Sequence, residues 1–496
     1  MSQGAGCLIG LDVGTTGSKA IAFTPDGAVV GRGYRDYPLH VGSGGTAELD
    51  ASQVLDAARY AVACAVSQAA AAQAGHPLAL AIAAQGEAIT PVDRRFAPLG
   101  PSQVTFDRRG QAGVGDLRAA GWEERTESAG LPLSWIVTAA KLAYQRRTDP
   151  AAYAAPAAFL CYEELVVGHL TGEAVTSDSL AQRTWLLDRR TRDWDPAALA
   201  DLNLTGRLAR VARPGTVVGR VDAEAAHAFG LPPGVPVAAG AHDQTAALLG
   251  VGGLEPGMAA HSTGTVDCMS LALLDGPATP FCRRGYGLGL HPLPHLAVTL
   301  AFGFGGGQLL GWWQRLLGGA PDIGTLLGEM PLTPEPPFAV PFWAGSGTPD
   351  FDAGDQGAFF GLTMESGRPE ITAAMVRGMA MEALRNLSIL AELGMEVRDI
   401  RLVGGGARSS AWSQVRADAA GRTYRDMAVL DAGCLGAAML AAVAAGVHRD
   451  LPAAAAAMVR TGTPYIPDPT RHAAYQALFP AYLAAVAATR TVRRPS

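Results

Sequence analysis

Apolar runs that stop at a polar or glycine-rich cluster recur along this chain, and they outline its architecture. The first, Leu8-Ile9-Gly10-Leu11, ends at Asp12. A Val13-Gly14-Thr15-Thr16-Gly17 turn follows, and Ser18-Lys19 open a second run, Ala20-Ile21-Ala22-Phe23. Two apolar runs about a glycine turn predict a β-hairpin. Pro25-Asp26-Gly27 marks the next turn, and Ala28-Val29-Val30 continues the sheet. Asp50 is positioned to cap a helix from about Ala51 to Ala74, with Leu55, Ala58, Val62 and Ala65 on one face and Gly75 as its stop. Leu78 to Ala84 reads as a buried strand ending in Gln85-Gly86-Glu87. A polar cluster directly after a buried strand is where open α/β sheets bind ligands. Residues 116–199 read mainly as helices and loops. Val235 to Asp243 is a further apolar strand ending in an acid, with an Ala/Leu-rich helix behind it.

The second half repeats the theme. Leu254-Glu255-Pro256-Gly257 is a turn and the expected boundary, giving domains 1–253 and 254–496. Ser262-Thr263-Gly264-Thr265 then feeds the apolar run Cys268 to Leu274, as the opening hairpin turn feeds its own second run. Phe302 to Gly307 is a Gly/Phe-rich loop entering a helix with Trp312 and Trp313. Thr372 to Leu393 is the clearest helix, with Met375, Met379, Ala383, Leu387 and Leu390 on one stripe and Gly394 as stop. Ile400 to Val403 is a strand entering Gly404-Gly405-Gly406-Ala407-Arg408-Ser409-Ser410, and the helix after it turns Trp412, Val415 and Ala419 inward. A strand, a glycine turn and a helix in succession form a nucleotide-binding geometry. The pattern predicts an α/β chain of two related halves, each offering a Gly-Thr turn.

Composition narrows the class. A chain of 496 residues exceeds one typical core. It is 49% hydrophobic, and its net charge of −6, with scattered basic residues, argues against nucleic acid as the main partner. The six cysteines are dispersed without a Cys-x-x-Cys pair, which fits a reducing compartment and no structural zinc. No stretch is apolar enough to span a bilayer, and the first residues lack the regions of a secretory signal. A cytoplasmic protein without membrane attachment is expected.

The opening turn suggests chemistry. Gly14 and Gly17 let the backbone approach a ligand, Thr15 and Thr16 donate hydrogen bonds, and Lys19 adds a positive charge, a combination suited to a polyphosphate. Asp12 at the strand end is suited to Mg²⁺ through water. The turn is not a Walker A loop, and an ordinary glycine hairpin is an open alternative. Asp243 suits either a general base or a helix N-cap. His291 and His295 have helical metal spacing, but Pro292 and Pro294 break any helix between them. Trp312 and Trp313 suit hinge or core packing better than a sugar platform.

These segments, in this order, resemble the FGGY carbohydrate kinase family, of which glycerol kinase and xylulokinase are familiar members. The resemblance runs from about Leu8 to Gly446 and includes Thr138-Ala139-Ala140-Lys141-Leu142-Ala143-Tyr144, with Tyr144 where Trp is usual. It implies two actin-like domains of the ASKHA, ribonuclease H-like kind around a central cleft. The implied reaction is transfer of the γ-phosphoryl group of ATP, with Mg²⁺, to a sugar hydroxyl. By the same resemblance Thr15, Thr16, Gly17, Lys19, Thr265, Gly307, Gly406 and Ser410 hold the nucleotide, and Asp12 and Asp243 hold the metal. Glu87, Asp107, Asp243 and Gln244 hold the sugar, with Asp243 as the catalytic base. An ion pair with Arg108 or Arg109 is the alternative for Asp107, and a structural pairing with Lys19 is the alternative for Asp12.

Departures fall near the sugar pocket. Phe106-Asp107-Arg108-Arg109 replaces the usual Trp followed by polar residues and Arg. Ser346-Gly347-Thr348-Pro349 lacks a common Glu-Arg pair, and Gln356 stands where Arg is frequent. Gly86 stands where glycerol kinase carries an Arg, which weighs against glycerol and leaves room for a larger polyol or ketose. The expected acceptor is a pentulose such as D-xylulose. Ribulose, another ketose, a tetritol and glycerol are alternatives, and a nucleotide-dependent regulator without transfer is the rival class. Dimers are frequent in the family, and no interface stripe stands out in the sequence.

Overall fold

The computed structural model describes residues 6–264 and 266–491. Its frame is two mixed sheets of matching topology. In the first, the strands lie in the order Val217–Arg220, Pro236–His242, His76–Ala84, Gly6–Val13, Gly17–Phe23 and Val29–Asp36. The last three form an antiparallel meander, while Gly6–Val13, His76–Ala84 and Pro236–His242 run parallel. The second sheet repeats this plan. Met258–Thr263, Asp267–Leu274 and Leu296–Gly303 form the meander, and Asp399–Val403 and Tyr424–Met427 add in parallel. Each sheet has an antiparallel strand beyond its second added strand, Val217–Arg220 in one and Thr461–Tyr465 in the other. The repeat glimpsed in two Gly-Thr turns therefore extends through whole sheets, and the chain has the expected α/β, two-halved actin-like plan.

The parallel strands are apolar along nearly their whole length because both faces are covered. One face of the first sheet carries the helix Ala51–Ala71, capped by Asp50, whose carboxylate accepts from the Ser52 and Gln53 amides. The helix ends three residues before the expected Ala74. The opposite face carries Ala432–Ala444, a helix from the second half of the chain. That helix also packs along Asp243–Gly250, so it forms a seam between the halves. Its apolar side chains, Leu435, Met439 and Leu440 among them, pack into this seam, and at glycines the backbones meet directly. A Cβ at Gly10 would stand 1.8 Å from the Cys434 carbonyl oxygen, and one at Gly436 would stand 1.9 Å from that of Ala246.

The long helix of the second half runs from Arg368 to Glu392, one turn earlier than its apolar stripe suggested. Gly367 precedes it, and the Glu370 side chain accepts from the Gly367 amide. Met375, Met379, Leu387 and Leu390 are buried as expected. Residues 116–199 are mainly helices and loops, with short strands such as Ala158–Leu160 and Val175–Ser177. The alanine-rich tail is helical over Leu451–Met458 and Pro469–Thr491, with the edge strand Thr461–Tyr465 between them. Among the described residues, no helix is long and apolar enough to cross a membrane.

Candidate active site

Three parallel strands end at the same edge of the first sheet. Ala83 of His76–Ala84 pairs with Asp12 on one side and Ala241 on the other, so Asp12 and Asp243 flank one intervening strand. Adjacent strands are about 4.8 Å apart, which sets the two acids roughly 10 Å apart along the edge. Beside them lies a cavity of about 100 Å³ with walls from both halves. Thr15, Gln85, Glu87, Arg183, Asp243 and Gln244 supply its polar lining, and Phe106, Phe302 and Phe304 its aromatic lining.

The hairpin turn is locked from behind. Gln85 Nε2 and the Tyr37 hydroxyl both donate to the Gly14 carbonyl, at 3.1 and 2.6 Å, and the Thr15 hydroxyl donates to Gln85 Oε1 at 3.0 Å. Thr16 is exposed at the turn, while Gly17 is buried beneath it. Lys19 is already engaged: its Nζ lies 2.6 Å from Asp431, which Arg32 also contacts at 2.8 Å.

Glu87 adopts a left-handed backbone conformation with φ of +61°, a strained choice for a residue with a side chain. Its carbonyl and its carboxylate are both held. The Lys141 ammonium, itself fully buried, donates to the Glu87 carbonyl at 2.8 Å, and Arg183 Nε donates to its carboxylate at 2.6 Å. Burial pushes the Lys141 pKa down to about 8, against the pull of Glu87 and Asp107. The Thr138–Tyr144 signature thus contributes the support beneath Glu87.

Asp107 does not reach the cavity. It is fully buried, accepts from the Ala47 amide at 3.2 Å, and takes Arg109 Nε at 2.9 Å. Its carboxylate is spent on that pair, so the ion-pair alternative describes its position, and Phe106 is the neighbour that faces inward. Gln244 lies at the start of Asp243–Gly250 and accepts from Ser270 at 3.4 Å.

Electrostatically the site is acidic. Burial, with Asp12 and Glu87 nearby, pushes Asp243 up to about 8, and burial pushes Asp12 up to about 6. Among the described residues neither acid has a Lys or Arg within 4 Å; His242 Nε2 lies 3.1 Å from Asp243. Burial, with Arg183 alongside, holds His242 well below its ordinary pKa, so its ring is neutral. Two carboxylates without a cationic partner are a donor set suited to a hard divalent ion.

In the second half, Gly264, Gly307 and Gly406 converge. The Gly307 amide donates to the Gly264 carbonyl at 2.8 Å as the helix Gly307–Leu316 begins, and a Cβ on Gly406 would stand 2.6 Å from Thr263 Cβ. Ser410 is exposed at the first turn of Ser410–Ala420, and Ser409 caps that helix. Thr265 lies outside the described residues. Trp313 donates to Thr372 at 3.1 Å and Trp312 packs on Trp343, away from the cavity.

A buried cluster fastens this second turn from below. Asp267, the cross-strand partner of Thr263, takes Arg416 at 2.8 Å and His261 at 3.2 Å, and Thr263 contacts both Asp267 and Arg416. Burial would raise the Asp267 pKa, but His261, Arg416 and Thr263 overcome it and hold the carboxyl well below its usual range. Arg416 stacks on Trp412 at 4.6 Å and belongs to the helix behind the Gly404–Ser410 turn.

Sequence reasoning missed Arg183, His242 and this cluster. His242 carried a signal, since it adjoins Asp243 at a strand end. Arg183 had none, because it enters from a short helical turn among many scattered arginines.

Comparison with known proteins accords with the geometry. Residues 7–250 match the N-terminal domain of the FGGY family of carbohydrate kinases, and residues 308–445 match its C-terminal domain. The chain is 31% identical over 469 residues to a glycerol kinase of Bordetella parapertussis, covering 90% of each. It is 28% identical over 488 residues to the xylulose kinase of Escherichia coli K12, covering 94% of this chain and 96% of that one. The solved xylulose kinase of Rhodospirillum rubrum superposes with a TM-score of 0.84 at 26% identity, covering 98% of this chain and 99% of that one. With two sheets of one plan and an acid-lined cavity between them, the chain belongs to the FGGY family of carbohydrate kinases, phosphotransferases that use an alcohol group as acceptor.

Proposed function

We propose that this enzyme transfers the γ-phosphoryl group of ATP to a hydroxyl of a pentulose such as D-xylulose. The observation that carries the reading is the cavity where Glu87, Asp243 and Gln244 stand together beside Thr15 of the opening turn. Asp243 takes the proton of the attacking hydroxyl, a contribution of about 10²–10⁴ in rate. Glu87 and Gln244 supply acceptors for neighbouring hydroxyls. Asp107, paired with Arg109, supports the wall carrying Phe106 instead of touching sugar. The similarity to xylulose kinase along nearly the whole of both chains supports a pentulose, and the similarity to glycerol kinase makes glycerol the alternative acceptor.

The nucleotide lies between the two glycine-bearing turns. Thr15, Thr16 and Gly17 approach it from one side, with Lys19 behind them on Asp431. Gly307, Gly406 and Ser410 approach it from the other. Asp12 and Asp243 hold Mg²⁺, which when bound supplies neutralisation of phosphoryl charge. Residues 1–253 carry mainly the sugar and residues 254–496 mainly the nucleotide. The Phe106, Phe302 and Phe304 rings exclude water from the acceptor. Six unpaired cysteines suit a reducing, cytoplasmic setting.

Coupled measurement of ADP release across a panel of ketoses and polyols tests the proposal. ADP release that requires D-xylulose and yields its phosphate is expected. Sugar-independent hydrolysis, or tight nucleotide binding without turnover, would overturn it in favour of a regulatory protein.

A further inference from the structure

The wall behind the acceptor cavity serves a second space. A cavity of about 30 Å³, room for about two waters, lies on its far side. Ile136, Arg183, His242, Leu300 and Phe302 border both cavities. Three of these are apolar side chains of the surrounding core. Arg183 and His242 are the polar pair, and both are fixed in place.

Arg183 is held by the Glu87 carboxylate, with Nε 2.6 Å from Oε1. His242 is anchored through its backbone, whose amide donates to Ser179 Oγ at 3.2 Å. Its ring lies over Gly86: a Cβ on Gly86 would stand 2.9 Å from both Cδ2 and Nε2 of His242, and 3.2 Å from Cγ of Arg183. The space that a glycine at position 86 opens is therefore not vacant for a larger acceptor. The His242 ring and the Arg183 stem fill it. Beyond them the rear cavity is lined by apolar groups such as Leu131, Val298 and Phe351, with the hydroxyls of Ser134, Ser179 and Thr348 among them. Such a lining suits another hydroxylated carbon of the same chain, with little room for more.

We propose that Arg183 and His242 form a partition that fixes the length of acceptor this enzyme takes, and that Gly86 is the residue that admits the partition. The proposal rests on the reading of the front cavity as the acceptor site. The partition walls the front cavity beside Glu87 and Asp243, with His242 Nε2 3.1 Å from the Asp243 carboxylate. Acceptors that end before the partition are held by Glu87 and Gln244, and acceptors one carbon longer meet the His242 ring.

The test uses the full-length enzyme and a series of acceptors of three to seven carbons: glycerol, erythritol, D-xylulose, D-fructose and sedoheptulose. Binding is measured by calorimetry without nucleotide, and kcat/KM is measured with ATP. One carbon in a closely fitting pocket is worth about 10–200-fold in selectivity. His242→Ala is expected to raise the first excluded acceptor relative to the preferred one by about tenfold or more, in binding and in kcat/KM. His242→Gln, which refills the space, should keep the wild-type limit. If His242→Ala does not fold, Arg183→Ala opens the same wall from its other side and should move the limit the same way.

A folded opening variant that weakens all acceptors by one common factor, with the limit unmoved, would overturn the partition while leaving phosphotransfer intact. Length-selective binding that shifts in the variants but yields no phosphorylated product would overturn phosphotransfer and leave the partition standing. Absence of binding by every acceptor would overturn both.

Discussion

Removing the carboxylate of Asp267 tests how the second glycine turn is held. In Asp267→Ala the Arg416 guanidinium, 1% exposed, loses its charged partner. Its Nη1 already lacks a hydrogen-bond partner, and among the described residues Asp267 is the carboxylate within 4 Å of it. Breaking one side of a buried ion pair costs about 3–5 kcal/mol, because the remaining charge stays desolvated. At about 2–4 °C per kcal/mol for a unit of 150–250 residues, the melting temperature of the second half should fall by about 6–20 °C. Arg416→Met should cost a similar amount. The double variant should cost much less than the two together, since neither charge is then left alone. Thermal unfolding followed by tryptophan fluorescence is the assay, and Trp412, stacked on Arg416, is a local reporter. A shift below about 2 °C in Asp267→Ala, or full additivity in the double variant, would refute the reasoning.

Other outcomes follow from the same geometry. Asp243→Asn should lower kcat by about 10²–10⁴ while sugar binding by calorimetry persists; near-normal turnover would reject Asp243 as base. Lys141→Met removes the donor beneath the strained Glu87 and should raise KM for the sugar by about tenfold with KM for ATP unchanged, whereas equal changes in both would reject a local role. Burial lowers the pKa of His291 to about 4, and its ring bonds the Gly253 carbonyl and the Leu293 amide. The unfolded chain therefore takes up this proton first, and up to about 3 kcal/mol of stability is lost as pH falls from about 6.5 to 4. Denaturation curves across that range should show the loss, and His291→Gln should flatten it; an unchanged slope would contradict the buried neutral ring.

Much of the frame was legible because strand ends announce themselves. Asp12, Glu87 and Asp243 each follow an apolar run, and each lies at the same edge of the first sheet. The relation between the halves was legible only as two short turns, since the matching strands share a plan of connections and not a pattern of residues. Asp107 shows the limit of reading by type. An acid near a sugar site looks like a ligand, but Arg109 two residues on claims it, and sequence does not say which of two neighbours a side chain faces. Lys19 is similar, because Asp431, its partner, is 412 residues away. Gly86 was read as space, yet the space belonged to a histidine on another strand. Such occupancy is decided by packing between distant segments, which local pattern does not encode.

Where the helix Ala432–Ala444 meets the first sheet and the helix Asp243–Gly250, glycines bring bare peptide groups together, with Leu435, Met439 and Leu440 packed around them. Points bared of side chains let the two surfaces turn on one another, whereas prising them apart would strip the surrounding apolar packing from both. Opening of the enzyme should therefore resemble a door turning on its pin. Gly10 and Gly436 stay nearly still, and the jaws at Thr16 and Ser410 swing widest. Spin labels at those two jaws should change separation when ATP and sugar bind, and a pair set across the pin should not; equal changes at both would mean that the halves part instead of pivoting.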